Sequence, residues 1–463
     1  MKHVVLAIGL LLFGTFEFQG CDAYRILFIG PVGTRSHKNY YSSVIDALVE
    51  RDHHVTFITP FPSSVARANV EEIAVPEGDF AKFDLNLFDE KYGVRMATSA
   101  MYFSLCDDTV RSPRVQDLVH QRYDLAFVSS ICSDCYLWLV LPVEGWMLGF
   151  WSICVTYIVA SSRGVERAAS VQKTCRPLST CTGMLQLTFA NNVRELQSPA
   201  RPYVPAVVSI GGIQCRPAEQ LPQDLHEWVE GSGEEGLIYF SLGSIVKPSS
   251  LPEKNRQMFV RVFASLKQRV LWKWDQESMP DLPPNVMLKK WVPQQDILGH
   301  PKLRLFITQS GLYSTQESLY HGKPVLSLPV YADQLANARS IERQGWGKVI
   351  IWEEMTEDDL LDKITSIISS EGMLKVVRSK SLLMKDHAMS PKSLLVYWTE
   401  YVIRHRGATH LRCPLADMPW YTAYNVDVWL TLFALCVLLL WLILRLVIAV
   451  ISCLLGRAKR KMD

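Results

Sequence analysis

Short apolar runs alternate with amphipathic stretches along most of the chain, in two separate series. The first opens with YRILFIG (24–30), a continuous apolar run of the kind that forms a strand buried on both faces. The turn PVGTRS follows, with Ser36 as the expected cap of a helix through HKNYYSSVIDALVERD, where Val44, Ile45, Leu48 and Val49 recur at helical spacing. HVTFITP and YDLAFVSS (123–130) read as further strands. The second series runs GLIYFSLGS (236–244), RVLWKW, NVMLKKW, LRLFIT, PVLSLPV and GKVII. Helices such as DQLANARSIERQG and TEDDLLDKITSIISS lie between these strands. Strand–helix–strand order predicts parallel sheets covered by helices on both faces, an α/β architecture. The polar stretch PAEQLPQDLHEWVEGSGEE (217–235) divides the two series and reads as a linker. Two doubly wound domains facing each other leave a crevice at the carboxyl ends of their strands, and a ligand is expected there.

Two apolar runs lie outside these series. After Met1-Lys2-His3, VVLAIGLLLFGTF is short and ends in QGCDA, the pattern of a secretory signal cut between Gly20 and Ala23. A retained anchor is the alternative. VWLTLFALCVLLLWLILRLVIAVISCLL (428–455) is long enough to cross a bilayer, with Arg445 inside it. The basic tail GRAKRKMD (456–463) belongs in the cytoplasm by the positive-inside rule. The expected order is a signal peptide (1–23), a first Rossmann-like domain (24–216), the linker (217–235), a second Rossmann-like domain (236–405), a juxtamembrane segment (406–427), the span and the tail. Such a chain is a single-pass type I membrane protein with its body in the lumen. Lys459 and Lys461 are spaced like the dilysine retrieval signals of endoplasmic-reticulum membrane proteins, with a plain stop-transfer cluster as the alternative.

Composition adds bounds. A length of 463 residues exceeds one ordinary core, in line with two domains. A net charge of +2 gives no reason to expect nucleic acid as a partner. Among the eleven cysteines, Cys132 and Cys135 of ICSDC (131–135) form one CxxC pair with no second pair at zinc-site spacing, so no metal site is expected. Disulfides in an oxidising lumen stay open.

The chemistry concentrates in FITQSGLYSTQESLYHGKPVLSLPVYADQ (306–334). A buried strand leads through Gln309-Ser310-Gly311 into a helix, which would aim free backbone N–H groups and the helix dipole at an anion. Glu317, one turn in, can accept hydrogen bonds from a vicinal diol. Asp333 and Gln334 follow the next strand and offer an acceptor and a mixed donor–acceptor to the same crevice. An anion site ringed by carboxylates suits a phosphate joined to sugars.

The longer stretch WVPQQDILGHPKLRLFITQSGLYSTQESLYHGKPVLSLPVYADQLAN (291–337) resembles the signature of the UDP-glycosyltransferases, whose membrane-bound animal members share the C-terminal span and basic tail. The resemblance implies a GT-B fold: two facing Rossmann-like domains, here with one C-terminal transmembrane helix, and the UDP-sugar held mainly by the second domain. It implies that Trp291 stacks on the uracil, an arrangement aromatic faces favour, and that Gln294 sits beside base and ribose. Glu317 matches the ribose-binding glutamate, and Ser241, Gly243 and Ser244 match a loop near the diphosphate. Ser314 lies in the helix-start turn, and Asp333 and Gln334 match the pair that holds the sugar hydroxyls. The family reads His-Gly-Gly where this chain has Gln309-Ser310-Gly311. Gln309 can still donate to a phosphate but brings no positive charge, and Ser310 adds a Cβ where close backbone approach favours glycine, so a weaker hold on the diphosphate is expected.

In the first half, His37 stands in the first turn of the first helix and matches the family's catalytic histidine, a base for the acceptor's proton. Asp134 is the candidate carboxylate to orient it. His53 and His54 match a structural position. From 142 to 181 the resemblance fails, where helices walling the acceptor pocket would lie. The reading is an inverting transfer of a hexose from a UDP-sugar to a hydroxyl of a small lipophilic acceptor, as in detoxification, in the endoplasmic-reticulum membrane. Glucose is the expected sugar and glucuronic acid the alternative. The UDP-sugar is a cosubstrate, and neither metal nor cofactor is implied. The rival is a weak or inactive relative that binds lipophiles or partners in the lumen, and a homo-oligomer is left open.

Overall fold

The computed structural model of the chain describes residues 23–31, 33–75, 109, 111–129, 146–151, 185–197, 199–244, 246–414 and 418–459. The expected signal peptide and Asp134 lie outside these residues, as does most of 142–181.

Two parallel sheets form. The first holds β1 (Arg25–Ile29), β2 (His54–Thr59), β3 (Val70–Ala74), β4 (Leu125–Ser129), β5 (Trp146–Trp151), β6 (Leu185–Ala190) and β7 (Val207–Ser209), in the order β3-β2-β1-β4-β5-β6-β7. The second holds β8 (Leu237–Ser241), β9 (Arg269–Lys273), β10 (Val286–Lys289), β11 (Leu303–Thr308), β12 (Val325–Ser327) and β13 (Gly347–Val349), in the order β10-β9-β8-β11-β12-β13. In each sheet the order reverses beside the first strand, between β1 and β4 and between β8 and β11. The carboxyl ends at such a switch point form the crevice in which doubly wound sheets bind ligands.

The continuous apolar runs are buried on both faces because helices cover both sides. Ile26, Leu27, Phe28 and Ile29 have no exposed surface, and neither do Ile238 and Phe240 of β8. Helix α1 (Arg35–Val49) follows β1 and buries Tyr40, Tyr41, Val44, Ile45, Ala47 and Leu48. Its N-cap is Thr34 rather than the expected Ser36, so the helix begins one residue before Ser36, which lies in the first turn.

The stretch expected as a linker contains a helix, α2 (Gln223–Glu230). Leu221, Leu225 and Val229 recur every four residues and pack into the core of the second sheet with Leu237 and Tyr239, so a polar composition concealed one apolar face. The other helices that matter below are α3 (Glu253–Ser265), α4 (Gln294–Gly299), α5 (Leu312–Tyr320), α6 (Gln334–Arg343), α7 (Glu357–Ile368) and α8 (Glu371–Lys385). Helix α9 (Pro391–Arg404) lies within the expected second domain but packs on α1 of the first. Glu400 receives Arg51 Nε at 3.3 Å and Arg404 Nη1 at 3.0 Å, with Nε2 of the buried His53 at 3.5 Å. Next along the chain, the amide of Ala408 donates to Gln186 Oε1 at 3.0 Å. His53 is thus a packing residue.

Residues from His410 onward form a separate unit. Its helix α10 (Val426–Lys459) contains a stretch, Val426–Ser452, long and apolar enough to cross a membrane, with a mean hydropathy of 3.0 in its most apolar 18 residues. Arg445 lies over the Trp441 ring at 5.2 Å, a cation–π contact one helical turn back.

Candidate active site

Three residues expected at the donor site come together although they lie on different elements. Gln294 opens α4, and its Nε2 donates to Glu317 Oε2 at 2.6 Å and to Ser314 Oγ at 3.1 Å, both on α5. On the other side Tyr239 of β8 donates its hydroxyl to Gln294 Oε1 at 3.3 Å. Burial pushes the Glu317 carboxyl up to about 7, against the Gln294 bond, which favours the ionised form. Trp291, just before α4, is 59% exposed, so one face of its ring is open to stack on a planar group.

The N-terminus of α5 has Gly311 as its N-cap, a residue with no side chain to cap the first amides. These N–H groups are unsatisfied by the helix itself and carry its positive dipole end. The preceding turn departs from expectation in a specific way. Ser310 has φ of 64°, the left-handed region that disfavours a side chain, and it is completely buried. Its hydroxyl donates to Ser327 Oγ at 2.7 Å, at the end of β12. The Cβ of Ser310 is therefore packed inside the sheet layer, and a glycine would be favoured here for backbone conformation rather than for access to a phosphate. Gln309 is also buried and accepts from Thr308 Oγ1 at 3.1 Å. Its amide nitrogen rests on Gly243, where a Cβ would come within 2.0 Å of it, and Gly243 has φ of 82°. The positive φ favours glycine at 243, and a Cβ there would push the Gln309 amide aside.

Around this notch, Ser241 is buried and accepts from the Gly243 amide at 3.3 Å, which braces the loop. Asp333 receives Asn337 Nδ2 at 2.7 Å, and the same nitrogen donates to the Ser310 carbonyl at 3.0 Å, so Asn337 ties Asp333 to the turn. Burial raises the Asp333 carboxyl above the usual range. Gln334 does not present its carbonyl oxygen to the crevice as expected. It is 3% exposed, and its Oε1 accepts from the amides of Val330 and Tyr331 at 2.8 and 3.0 Å. Those amides sit in an irregular turn and need an acceptor, which Gln334 supplies.

Lysine 273, which sequence reasoning passed over, ends β9 at the carboxyl edge. Its Nζ donates to the Gly243 carbonyl at 2.8 Å and stands 5.3 Å from the Trp291 ring centroid. Burial, and secondarily the charge of Arg35 in the other domain, lower its pKa. A cation of the second domain thus sits on the loop between Ser241 and Ser244, within electrostatic reach of one from the first.

Across the crevice, His37 is partly buried in the first turn of α1 and faces the second domain: the ring of Tyr313, on α5, meets it edge-on at 5.2 Å. Tyr40 packs on the same tyrosine at 5.4 Å, and Ser36 Oγ lies 3.0 Å from Ser244 Oγ. The Thr34 amide donates to His37 Nδ1 at 3.1 Å. An N–H can only donate, so Nδ1 is an acceptor and the neutral ring carries its proton on Nε2. Burial lowers the ring to about 4, so it is neutral at pH 7. The carboxylate expected beside it, Asp134, is outside the described residues.

The family model described as "UDP-glucoronosyl and UDP-glucosyl transferase" matches residues 162–461. The chain belongs to this family. It is similar to "UDP-glycosyltransferase UGT5" of Dactylopius coccus, 29% identical over 469 residues, covering 88% of each chain. It is also similar to "UDP-glucuronosyltransferase 1A1" of Mus musculus, 38% identical over 283 residues, or 58% of this chain and 52% of that one. Among solved structures it resembles CalG4, the calicheamicin glycosyltransferase, with a TM-score of 0.61 at 16% identity over 82% of this chain and 99% of that one. The fold is GT-B, and the family transfers a sugar from a UDP-sugar.

In this UDP-glycosyltransferase, three crevice residues escaped sequence reasoning. Lys273 had a readable signal, a lysine closing an apolar strand at its carboxyl end. Tyr313 had none, since it meets His37 from far along the chain, and for Asn337 only the bond to Asp333 is local, while that to the Ser310 carbonyl is not.

Proposed function

We propose that the chain transfers glucose from UDP-glucose, with inversion, to a hydroxyl of a small lipophilic acceptor. The observation that carries this reading is the convergence of Gln294, Ser314 and Glu317 beside an exposed Trp291. Uracil stacks on Trp291, and the ribose hydroxyls bond to Glu317. The diphosphate lies between Lys273 and the free amides of α5. His37 takes the proton of the acceptor hydroxyl, whose oxygen forms a bond to the anomeric carbon from the face opposite UDP. The bond from that carbon to the diphosphate oxygen breaks, and UDP leaves with the electron pair. Base catalysis through Nε2 requires the ring to give up the Thr34 amide, so that Nδ1 can donate to a carboxylate such as Asp134. The body sits in the endoplasmic-reticulum lumen, held by α10, with Lys459 and Lys461 in the cytoplasmic tail.

One observation favours a second reading, a body that binds lipophiles without turning them over. His37 is held in the wrong tautomer for a base, with Tyr313 against it. A transfer assay with radiolabelled UDP-glucose and UDP-glucuronate and a set of phenols and aliphatic alcohols separates the two. Label passing from UDP-glucose alone supports the first reading. Passage from UDP-glucuronate alone replaces glucose as the sugar, and absence of transfer from either donor favours the second reading.

The assignment of Glu317 to the ribose predicts a pH dependence. With its carboxyl at about 7, Glu317 is protonated at pH 6 and ionised at pH 8. An ionised carboxylate accepts from both ribose hydroxyls, and charged hydrogen bonds exceed neutral ones by about 1 kcal/mol, or roughly fivefold in affinity. Uridine, which has no phosphate to titrate, should bind roughly fivefold more tightly at pH 8 than at pH 6, and Glu317→Gln should flatten the profile. A flat profile in the unaltered protein would remove Glu317 from the ribose site.

A further inference from the structure

Three amide side chains meet where the two domains join. Asn191, at the end of β6, is 3% exposed; Gln316, on α5, is 5% exposed; Gln214, in the segment that leads toward α2, is 7% exposed. Gln214 Nε2 donates to Gln316 Oε1 at 2.8 Å, and Gln316 Nε2 donates to Asn191 Oδ1 at 3.1 Å. The row has a direction. Turning Gln316 alone would set nitrogen against nitrogen on one side and oxygen against oxygen on the other. At its ends, Asn191 Nδ2 and Gln214 Oε1 have no hydrogen-bond partner among the described residues.

The same segment grips α4. Gln295 Nε2 donates to the Gln214 carbonyl at 3.0 Å, and the Arg216 amide donates to Gln295 Oε1 at 2.8 Å. Arg216 then makes two bonds to Asp296, at 2.7 and 3.1 Å. Nearby, the Gly211 amide donates to the Asn192 carbonyl at 3.1 Å, and a Cβ on Gly211 would lie 2.2 Å from the Asn192 carbonyl carbon, so the two backbones touch. Gln295 and Gln316 are the chain neighbours of Gln294 and Glu317. What the joining segment holds is therefore the pair of helices that present the donor cluster, and what it ties them to is the end of a strand in the domain that carries His37.

We propose that Asn191, Gln316 and Gln214 are positioning residues that set α5 in register with the first domain, so that His37 meets the anomeric carbon of the bound sugar. They bond to one another across the domain junction and need touch neither UDP nor acceptor. A misplacement on the order of 1 Å between reacting groups costs about a hundredfold in rate, so the row controls turnover more than binding.

The test uses the full chain in detergent. Gln316→Leu removes the bond from Gln214 and those to Asn191, to Oδ1 and, at 3.4 Å, to the backbone carbonyl, at similar side-chain volume. Affinity for UDP, by calorimetry, should stay within about threefold, because Gln294, Ser314 and Glu317 keep their mutual bonds, while kcat falls about ten- to a hundredfold. In hydrogen exchange, amides in 188–197 and 210–216 should exchange about tenfold faster, with those of α3 unchanged. Asn191→Leu should behave in the same way. Asn191→Asp keeps the acceptor that Gln316 uses and gives up only an NH₂ that lacks a partner among the described residues, so it should keep at least about half of kcat and the original exchange pattern. Three outcomes would overturn the proposal: UDP affinity falling in step with kcat, exchange unchanged in Gln316→Leu, or Asn191→Asp as damaging as Asn191→Leu. The kcat measurement rests on the sugar-transfer reading. Should the unaltered protein bind UDP and transfer nothing, that reading fails, and the exchange patterns of the three variants still decide the register role.

Discussion

Replacing His37 with alanine lowers sugar transfer on the order of 10²–10⁴-fold and leaves UDP affinity where it was. The first half of this expectation follows from chemistry. An alcohol is a weak nucleophile until a base accepts its proton, and His37 is the imidazole that the first domain turns toward α5. The ring at about 4 is neutral throughout the physiological range, and once Nδ1 gives up the Thr34 amide and carries the proton, Nε2 is free to accept one. The second half follows from placement. Gln294, Ser314, Glu317, Trp291 and Lys273 all belong to the second domain, and none is bonded to His37. Steady-state transfer and UDP calorimetry on the same preparation check both halves. Full activity in His37→Ala would place the base elsewhere, and loss of UDP binding would mean that the His37–Tyr313 contact shapes the donor site.

The next largest effect is expected at Lys273. Replacement by methionine keeps most of the side chain's length and its contact with the Trp291 ring while removing the charge. Where the resemblance leads one to expect a histidine, this chain has Gln309, whose amide lies against Gly243 and carries no charge. Lys273 is bonded to the Gly243 carbonyl of that loop and feels the charge of Arg35 across the crevice. A charge-assisted contact to phosphate in a partly desolvated site contributes about 1.5–3 kcal/mol, so Lys273→Met should weaken UDP binding about ten- to a hundredfold. Uridine, which lacks the diphosphate, should bind within about twofold of the unaltered protein, since stacking on Trp291 is preserved. Equal losses for UDP and uridine would show that Lys273 supports Trp291 rather than the phosphates.

The sequence made some parts of this molecule legible and concealed others, for identifiable reasons. β1, β4, β8 and β11 were readable because each is a run of apolar residues buried on both faces. β3, VEEIA, was not, since it is an edge strand with a mixed surface and has no apolar run. The crossing of α9 to α1 depends on Glu400 meeting Arg51, 349 residues earlier, and no local pattern encodes such a pair. Within the site, the motif's spacing brought Gln294, Ser314 and Glu317 into one expectation, and they are hydrogen-bonded neighbours. Side-chain directions were not legible at Ser310 and Gln334. There the backbone enters the left-handed region, at Ser310 with φ of 64° and at Ala332 with φ of 54°, and these turns decide which way the adjoining side chains point.

The central claim is that the crevice still holds a UDP-sugar although its turn reads Gln309-Ser310-Gly311. Calorimetric titration of the full chain with UDP tests it most directly, with ADP as the control for base recognition. The geometry of Trp291, Gln294, Glu317 and Lys273 predicts saturable binding of one UDP per chain with a Kd below about 1 mM, displaced by UDP-glucose and not reproduced by ADP. No heat of binding with UDP at that concentration, or equal binding of ADP, would contradict it.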